Sequence, residues 1–181
     1  EEIVPMTPIR RKIAERLVEA QKTAAILTTF NEVDMSAVMD LRKQYQEDFQ
    51  NRFGIKLGIM SFFVKASIEA LKRIPQLNAE IRGPNIVFRN YYDIGIAVSG
   101  GKGLVVPVLR DVDKKSVQDI AREMAETAER ARQGKLRPDD MQGGTFTVSN
   151  LGGIGGVAFS PIVNWPQVAI LGLSRARQQP V

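Results

Sequence analysis

The sequence predicts an α+β fold, a two-layer sandwich in which helices cover one face of a mixed sheet. Three observations carry that expectation. Apolar residues recur at helical spacing in four segments, short β-branched or alternating runs lie between them, and no internal repeat or low-complexity linker divides the chain. At 181 residues, 44% hydrophobic and 25% charged, the chain suits one domain with one sizeable core.

Thr7-Pro8 reads as a helix cap followed by proline at the first helical position, and Ile9, Ile13 and Leu17 continue the helix to about Gln21. Its other face carries Arg10, Arg11, Lys12, Glu15 and Arg16, a solvated or subunit-facing surface. Residues 26–33, with Thr28, Thr29, Phe30 and Val33, suit a strand. A second helix is expected from Ser36 to about Arg52, with Val38, Leu41, Tyr45 and Phe49 on one face and Gly54 as its stop. Residues 59–74 are apolar on almost every side until Pro75, which marks a buried central helix.

Strands are expected at residues 86–88, 92–98 and 104–108, the last two joined through Gly100-Gly101-Lys102-Gly103. Ser116 caps a fourth helix through Ala131, turning Val117, Ile120, Met124 and Ala128 inward. Two final strands, 145–150 and 168–173, flank a glycine-rich loop.

Composition narrows the chemistry. There is no cysteine, hence no disulfide, thiolate nucleophile or cysteine-held zinc, and no metal site is expected. There is no histidine either, so the commonest general base near neutral pH is not among these residues. The net charge of +5 is modest and its basic residues are dispersed, which speaks against nucleic acid. It also suits a polyanionic ligand such as coenzyme A. No apolar run approaches the roughly 18 residues of a membrane span, and the start at Glu1-Glu2 is unlike a signal peptide. A soluble, unexported chain is expected.

The most unusual stretch is Gly143-Gly144-Thr145-Phe146-Thr147-Val148-Ser149-Asn150-Leu151-Gly152-Gly153-Ile154-Gly155-Gly156. Phe146 and Val148 alternate with Thr145, Thr147 and Ser149, as in a half-buried strand. The glycines that follow would let a ligand approach the backbone, or they simply form a turn. They do not open into a helix, so this is no dinucleotide loop. With neither a histidine nor a nucleophile elbow at hand, Ser149 suits hydrogen-bond donation to a developing oxyanion better than nucleophilic attack.

Five blocks, in order, resemble the catalytic domain of the dihydrolipoamide acyltransferase (E2) components of 2-oxoacid dehydrogenase complexes. They are residues 4–16, beginning Val4-Pro5-Met6-Thr7-Pro8; Leu27-Thr28-Thr29-Phe30-Asn31-Glu32-Val33; residues 103–113, from Gly103-Leu104-Val105-Val106-Pro107; residues 145–156; and Pro166-Gln167-Val168-Ala169-Ile170-Leu171-Gly172. The resemblance implies a chloramphenicol-acetyltransferase-like fold and homotrimers with an active-site channel at each subunit interface. Such trimers build cubic or dodecahedral cores.

It also implies transfer of an acyl group between coenzyme A and the dihydrolipoyl-lysine of a separate lipoyl domain. A histidine deprotonates the attacking thiol and a serine or threonine of the facing subunit donates to the oxyanion. Ser149 falls at that donor position. Asn150, Arg42, Ser99 and Ser174 fall where the family contacts coenzyme A. For Arg42 the alternative is a solvated helix charge, and for Ser99 and Ser174 a turn or strand-end hydroxyl.

Residues 27–33 and 39–45 look most like the succinyltransferase of the 2-oxoglutarate complex, whereas residues 149–156 and 159–164 resemble the acetyltransferase of the pyruvate complex. The family continues beyond a segment like Gln178-Gln179-Pro180-Val181 into an Asp-His-Arg-x-x-Asp-Gly motif. The resemblance therefore implies a catalytic domain, residues 1–181, truncated at its C-terminus, with no lipoyl or peripheral-subunit-binding domain, and with impaired transfer as it stands. A non-catalytic core scaffold is the alternative. The compartment implied is the cytoplasm of a bacterium, or the mitochondrial matrix of a eukaryote.

Overall fold

The computed structural model describes residues 1–100 and 103–179. Among these described residues four α-helices form: α1 (Pro8–Thr23), α2 (Ser36–Phe53), α3 (Ile59–Arg73) and α4 (Val117–Arg132). Their ends follow the expected chemistry. The Thr7 hydroxyl accepts from the Arg10 N–H at 3.4 Å, Gly54 closes α2 at φ 70°, and Ser116 and Asp119 form a reciprocal capping box. Pro75 ends α3 and opens a short 3-10 turn, Pro75–Asn78.

Seven strands follow: β1 (Ala79–Arg82), β2 (Asn85–Phe88), β3 (Ile94–Gly100), β4 (Gly103–Val105), β5 (Val108–Leu109), β6 (Phe146–Asn150) and β7 (Ile170–Leu173). β1 and β2 make a separate antiparallel ribbon. The main sheet runs β4-β3-β6-β7, with β5 also paired to β3. It is mixed as expected: β3 is antiparallel to β4 and β5, whereas β3, β6 and β7 are parallel.

The pleat divides this sheet into two unlike faces. Ile94, Ile96, Phe146, Val148, Leu171 and Leu173 point to one side, where Val64, Ile68 and Leu71 of α3 and Ile120 and Met124 of α4 complete the core. The other face is small and polar on the two inner strands, with Gly95 and Ala97 on β3 and Thr147 and Ser149 on β6, and carries Ile170 and Gly172 on β7. The predicted inward positions of α4 are borne out by Ile120 and Met124.

Two local expectations need correction. Residues 26–33 do not form a strand: among the described residues they pair with no other strand, and Leu27 and Phe30 are 86% and 63% exposed. Strand propensity reports fit to a pleated, half-buried surface, and here no neighbouring edge supplies one. The run expected at residues 104–108 breaks into β4 and β5 at Val106-Pro107. Pro107 has no N–H to continue a ladder, though its carbonyl accepts from the Ile96 N–H at 2.9 Å. The connection between β3 and β4 includes Gly101 and Lys102, which lie outside the described residues. The helix α2 forms over the expected residues and carries the expected apolar stripe, with none of its residues buried in the single chain.

Candidate active site

Because β3, β6 and β7 are parallel, their C-terminal ends share one edge of the sheet, and the expected site residues gather there. Ser149 on β6 stands between Ala97 of β3 and Gly172 of β7. Ser99 is two residues beyond Ala97, and Ser174 two beyond Gly172, so alternation sets all three serines on the polar face. Ser149 is 8% exposed, and among the described residues its hydroxyl has no side-chain hydrogen-bond partner. Ser99 and Ser174 are exposed. Unpartnered hydroxyls at the open end of a sheet leave donors free for a ligand.

Asn150 projects to the opposite face, next to Leu173 in register. Its Nδ2 donates to the Met60 sulfur on α3 at 3.3 Å, and its Oδ1 accepts from the Gly152 N–H at 2.8 Å. The asparagine thus shapes the turn that leaves β6. Arg42 on α2 is half-buried and donates through Nε to the Leu57 carbonyl at 2.8 Å, tying α2 to the loop before α3. That is more than a solvated charge, and it sets Arg42 apart from the serine row.

The wall beside Ser149 comes from residues 151–169, which connect β6 to the parallel β7 without a helix or strand of their own. A Cβ at Gly172 would lie 2.9 Å from Phe159 Cζ and 3.2 Å from Pro161 Cγ, so the glycine is what lets this connection press against the sheet. Behind it, a cleft of about 340 Å³ is lined by Gln21, Ala24, Ile26, Thr28 and residues 160–162, joining the end of α1 to the same connection. Toward the start of β6, beside Gly95 and Gly144, the buried Thr147 hydroxyl and Gln167 side chain are paired at 2.6 Å.

Sequence reasoning singled out Ser149 and its neighbours but missed Phe159, Gly172, Thr147 and Gln167 as parts of the site. The alternation of Thr145, Thr147 and Ser149 did mark a polar face; the residues that cover it lie at sequence separations that periodicity does not report.

The start of β6 is fixed by two carboxylates and the arginines paired with them. Asp93 accepts from Arg110 Nη1 at 3.0 Å and from the Asp111 N–H at 2.8 Å, while its carbonyl accepts from the Thr145 N–H at 2.7 Å. The buried Glu80 pairs with Arg82 and Arg89, and Arg89 also donates to the Gly144 carbonyl at 3.2 Å. Burial opposes ionisation of Glu80, but the hydrogen bonds and charges of Arg82 and Arg89 outweigh it and hold the carboxyl below its ordinary value.

Among the described residues no group of three or more His, Cys, Asp or Glu could hold a metal, and no helix is long and apolar enough to cross a membrane.

Comparisons with known proteins agree with this arrangement. A family model described as 2-oxoacid dehydrogenases acyltransferase (catalytic domain) matches residues 1–181. The dihydrolipoyllysine-residue succinyltransferase component of the 2-oxoglutarate dehydrogenase complex of Escherichia coli (strain K12) is 52% identical over 181 residues, all of this chain and 45% of that protein. The corresponding component from Rickettsia typhi is 54% identical over 178 residues, 98% of this chain and 45% of that protein. The chain thus spans under half the length of these curated relatives.

Among solved structures, the dihydrolipoamide acetyltransferase of Azotobacter vinelandii, studied for the roles of a serine, a histidine and an asparagine in its catalytic mechanism, superposes with a TM-score of 0.96. It is 41% identical, covering 100% of this chain and 75% of that one. A truncated catalytic core of the 2-oxoacid dehydrogenase multienzyme complex from Thermoplasma acidophilum gives a TM-score of 0.91 at 36% identity, covering 99% of this chain and 82% of that one. With the family model matched end to end and the fold superposed over the whole length, the chain belongs to the 2-oxoacid dehydrogenases acyltransferase (catalytic domain) family.

Proposed function

We propose that this chain is the acyltransferase core of a dihydrolipoyllysine-residue succinyltransferase, moving a succinyl group between coenzyme A and the dihydrolipoyl-lysine of a separate lipoyl domain. The observation that carries the chemistry is Ser149: a nearly buried hydroxyl, free of side-chain partners among the described residues, set between the small Ala97 and Gly172, on which the Phe159 ring packs. A thiolate attacking a thioester carbonyl creates an oxyanion, and a preorganised donor in a poorly hydrated site lowers the barrier without needing activation itself. Coenzyme A and the lipoyl thiol are the substrates. Ser99 and Ser174, on the same face, supply donors toward coenzyme A; Asn150 and Arg42 are assigned to its binding as well, acting from the β6 turn and from α2.

The 181 residues contain no histidine, so the base that deprotonates the attacking thiol is proposed to lie outside them. The subunit is proposed to work as a homotrimer within a larger core that also meets lipoyl domains and the other components. Ile3, Val4, Leu27, Phe30, Val33, Met39, Leu41 and Tyr45 are all exposed apolar side chains in the single chain, of the kind that an obligate interface covers. Identities of 52% and 54% to bacterial succinyltransferase components favour the succinyl group and the bacterial cytoplasm.

Acetyl transfer is the second reading, favoured by one observation. Phe159 stands on Gly172, level with Ser149, and an apolar ring at that place suits a short acyl chain better than one ending in a carboxylate. The test is acyl transfer to dihydrolipoamide from succinyl-CoA and acetyl-CoA, by the chain joined to the histidine-bearing segment typical of the family. Succinyl preference supports the first reading and acetyl preference the second.

A further inference from the structure

The polar face of the sheet holds one buried side-chain pair that the chemistry at Ser149 does not use. Thr147 Oγ1 donates to Gln167 Oε1 at 2.6 Å, and the two residues are 1% and 4% exposed. Two glycines make room for it. A Cβ at Gly95 would lie 2.9 Å from Thr147 Oγ1, and one at Gly144 would lie 3.0 Å from Gln167 Nε2. A polar pair placed in a dry layer at the cost of two side chains acts as a fixed point.

That fixed point is the polar tie of a segment otherwise held by packing, with Phe159 and Pro161 against Gly172 and Val163 buried. Residues 151–169 have no regular structure, and their first turn is tied by the Leu151 N–H to the Leu173 carbonyl at 3.0 Å and the Gly152 N–H to Asn150 Oδ1 at 2.8 Å. Beyond that turn, Thr147–Gln167 is, among the described residues, the one side-chain hydrogen bond joining the sheet to residues 153–169. The same segment carries Phe159 and Pro161 onto Gly172, the register partner of Ser149.

We propose that the Thr147–Gln167 hydrogen bond is a positioning element for acyl transfer: it sets the depth of the β6–β7 connection and so the distance of its Phe159 wall from the Ser149 hydroxyl. The inference rests on Ser149 being the oxyanion donor. Thr147 and Gln167 touch no reacting atom; they act through the wall. A donor must meet the oxyanion within a fraction of an ångström, so a wall that recedes admits water and misplaces the acyl group.

The test uses two near-isosteric losses, Thr147→Val and Gln167→Leu, with Thr147→Ser as the variant that keeps the hydroxyl. Trp165 is the single tryptophan and lies two residues before Gln167 in the connection. Its emission and acrylamide quenching in the folded 181-residue chain therefore read the position of the connection without any activity assay. Single-turnover acyl transfer is then measured in the chain joined to the family's histidine-bearing segment, with Ser149→Ala alongside.

The expected result is a more quenchable Trp165 and a kcat lowered roughly 10- to 100-fold in the Val and Leu variants. KM for coenzyme A should stay within about twofold and Thr147→Ser should stay near wild type. Wild-type kcat in Thr147→Val and Gln167→Leu with only a lower Tm overturns the positioning role; if Ser149→Ala is impaired in the same experiment, the oxyanion reading stands. An unimpaired Ser149→Ala overturns the oxyanion reading, and the role assigned to the pair with it.

Discussion

Ser149 and Gly172 are register partners on the parallel strands β6 and β7, and the space a side chain would fill at Gly172 is taken by the Phe159 ring. The glycine therefore lets an apolar wall stand level with the hydroxyl. Gly172→Ala is expected to push Phe159 and Pro161 outward, since the new Cβ would fall 2.9 Å and 3.2 Å from their carbons. Overpacking of this kind costs about 1–3 kcal/mol. Chemical denaturation of the variant, read at equilibrium, checks the stability loss, and acyl-transfer kinetics should show kcat falling with it.

Ser149→Ala removes the donor while leaving the sheet intact. In a protein that carries the family's histidine, kcat should fall roughly 10²–10³-fold with a smaller change in KM. Thr at this place keeps the hydroxyl and should retain much more activity, although its β-branch crowds the wall. A hydroxyl that merely satisfied a strand end would instead cost about 1 kcal/mol of stability and leave turnover in the folded fraction unchanged. Single-turnover rates and thermal melts on the same samples separate the two.

How much of this was legible in the sequence depends on the range of the interaction. Thr7-Pro8, Gly54 and the Ser116 cap act over three or four residues, and the helices they bound formed where expected. The alternation of Phe146 and Val148 with Thr147 and Ser149 likewise fixed which residues face the core. Residues 26–33 misled because strand propensity needs a partner edge, and among the described residues they pair with none. β1 went unnoticed because Ala79-Glu80-Ile81-Arg82 has little strand character; its pairing to β2 across Gly83 and its Glu80–Arg89 contact hold it. Within the site, Ser149 was legible through its motif, whereas Phe159 and Gln167 reach it only through the folded connection, a relation no local pattern encodes.

The Glu80 carboxylate gives the fold an acid-sensitive tie. Its folded-state pKa lies below the ordinary 4.5, so its ionised form is favoured by folding. The stability this adds is fully present above the unfolded value and is lost as pH falls through the folded one. Denaturation of wild type and Glu80→Gln should thus differ by a constant amount at neutral pH and converge below about pH 4. Arg89→Ala, which leaves the buried carboxylate with only the exposed Arg82 as partner, should cost about 1–3 kcal/mol at neutral pH.

The uncovered apolar surface of the N-terminal third predicts self-association. Leu27 and Phe30 are 86% and 63% exposed in the single chain, and Phe30→Asp or Leu27→Asp would place a charge in the proposed subunit interface. Sedimentation should show trimers or larger species for the wild-type chain and a shift toward monomer for either variant, with the circular dichroism of the fold retained. Stable wild-type monomers at micromolar concentration would contradict the proposed assembly.

The central claim is that this family member transfers a succinyl group with Ser149 as oxyanion donor. The most direct measurement is kcat/KM for succinyl-CoA and acetyl-CoA as donors to dihydrolipoamide, in the chain joined to the family's histidine-bearing segment and in its Ser149→Ala variant. A succinyl preference of at least about tenfold is expected, with its collapse in the variant. An acetyl preference, or a variant as fast as the parent, would contradict it.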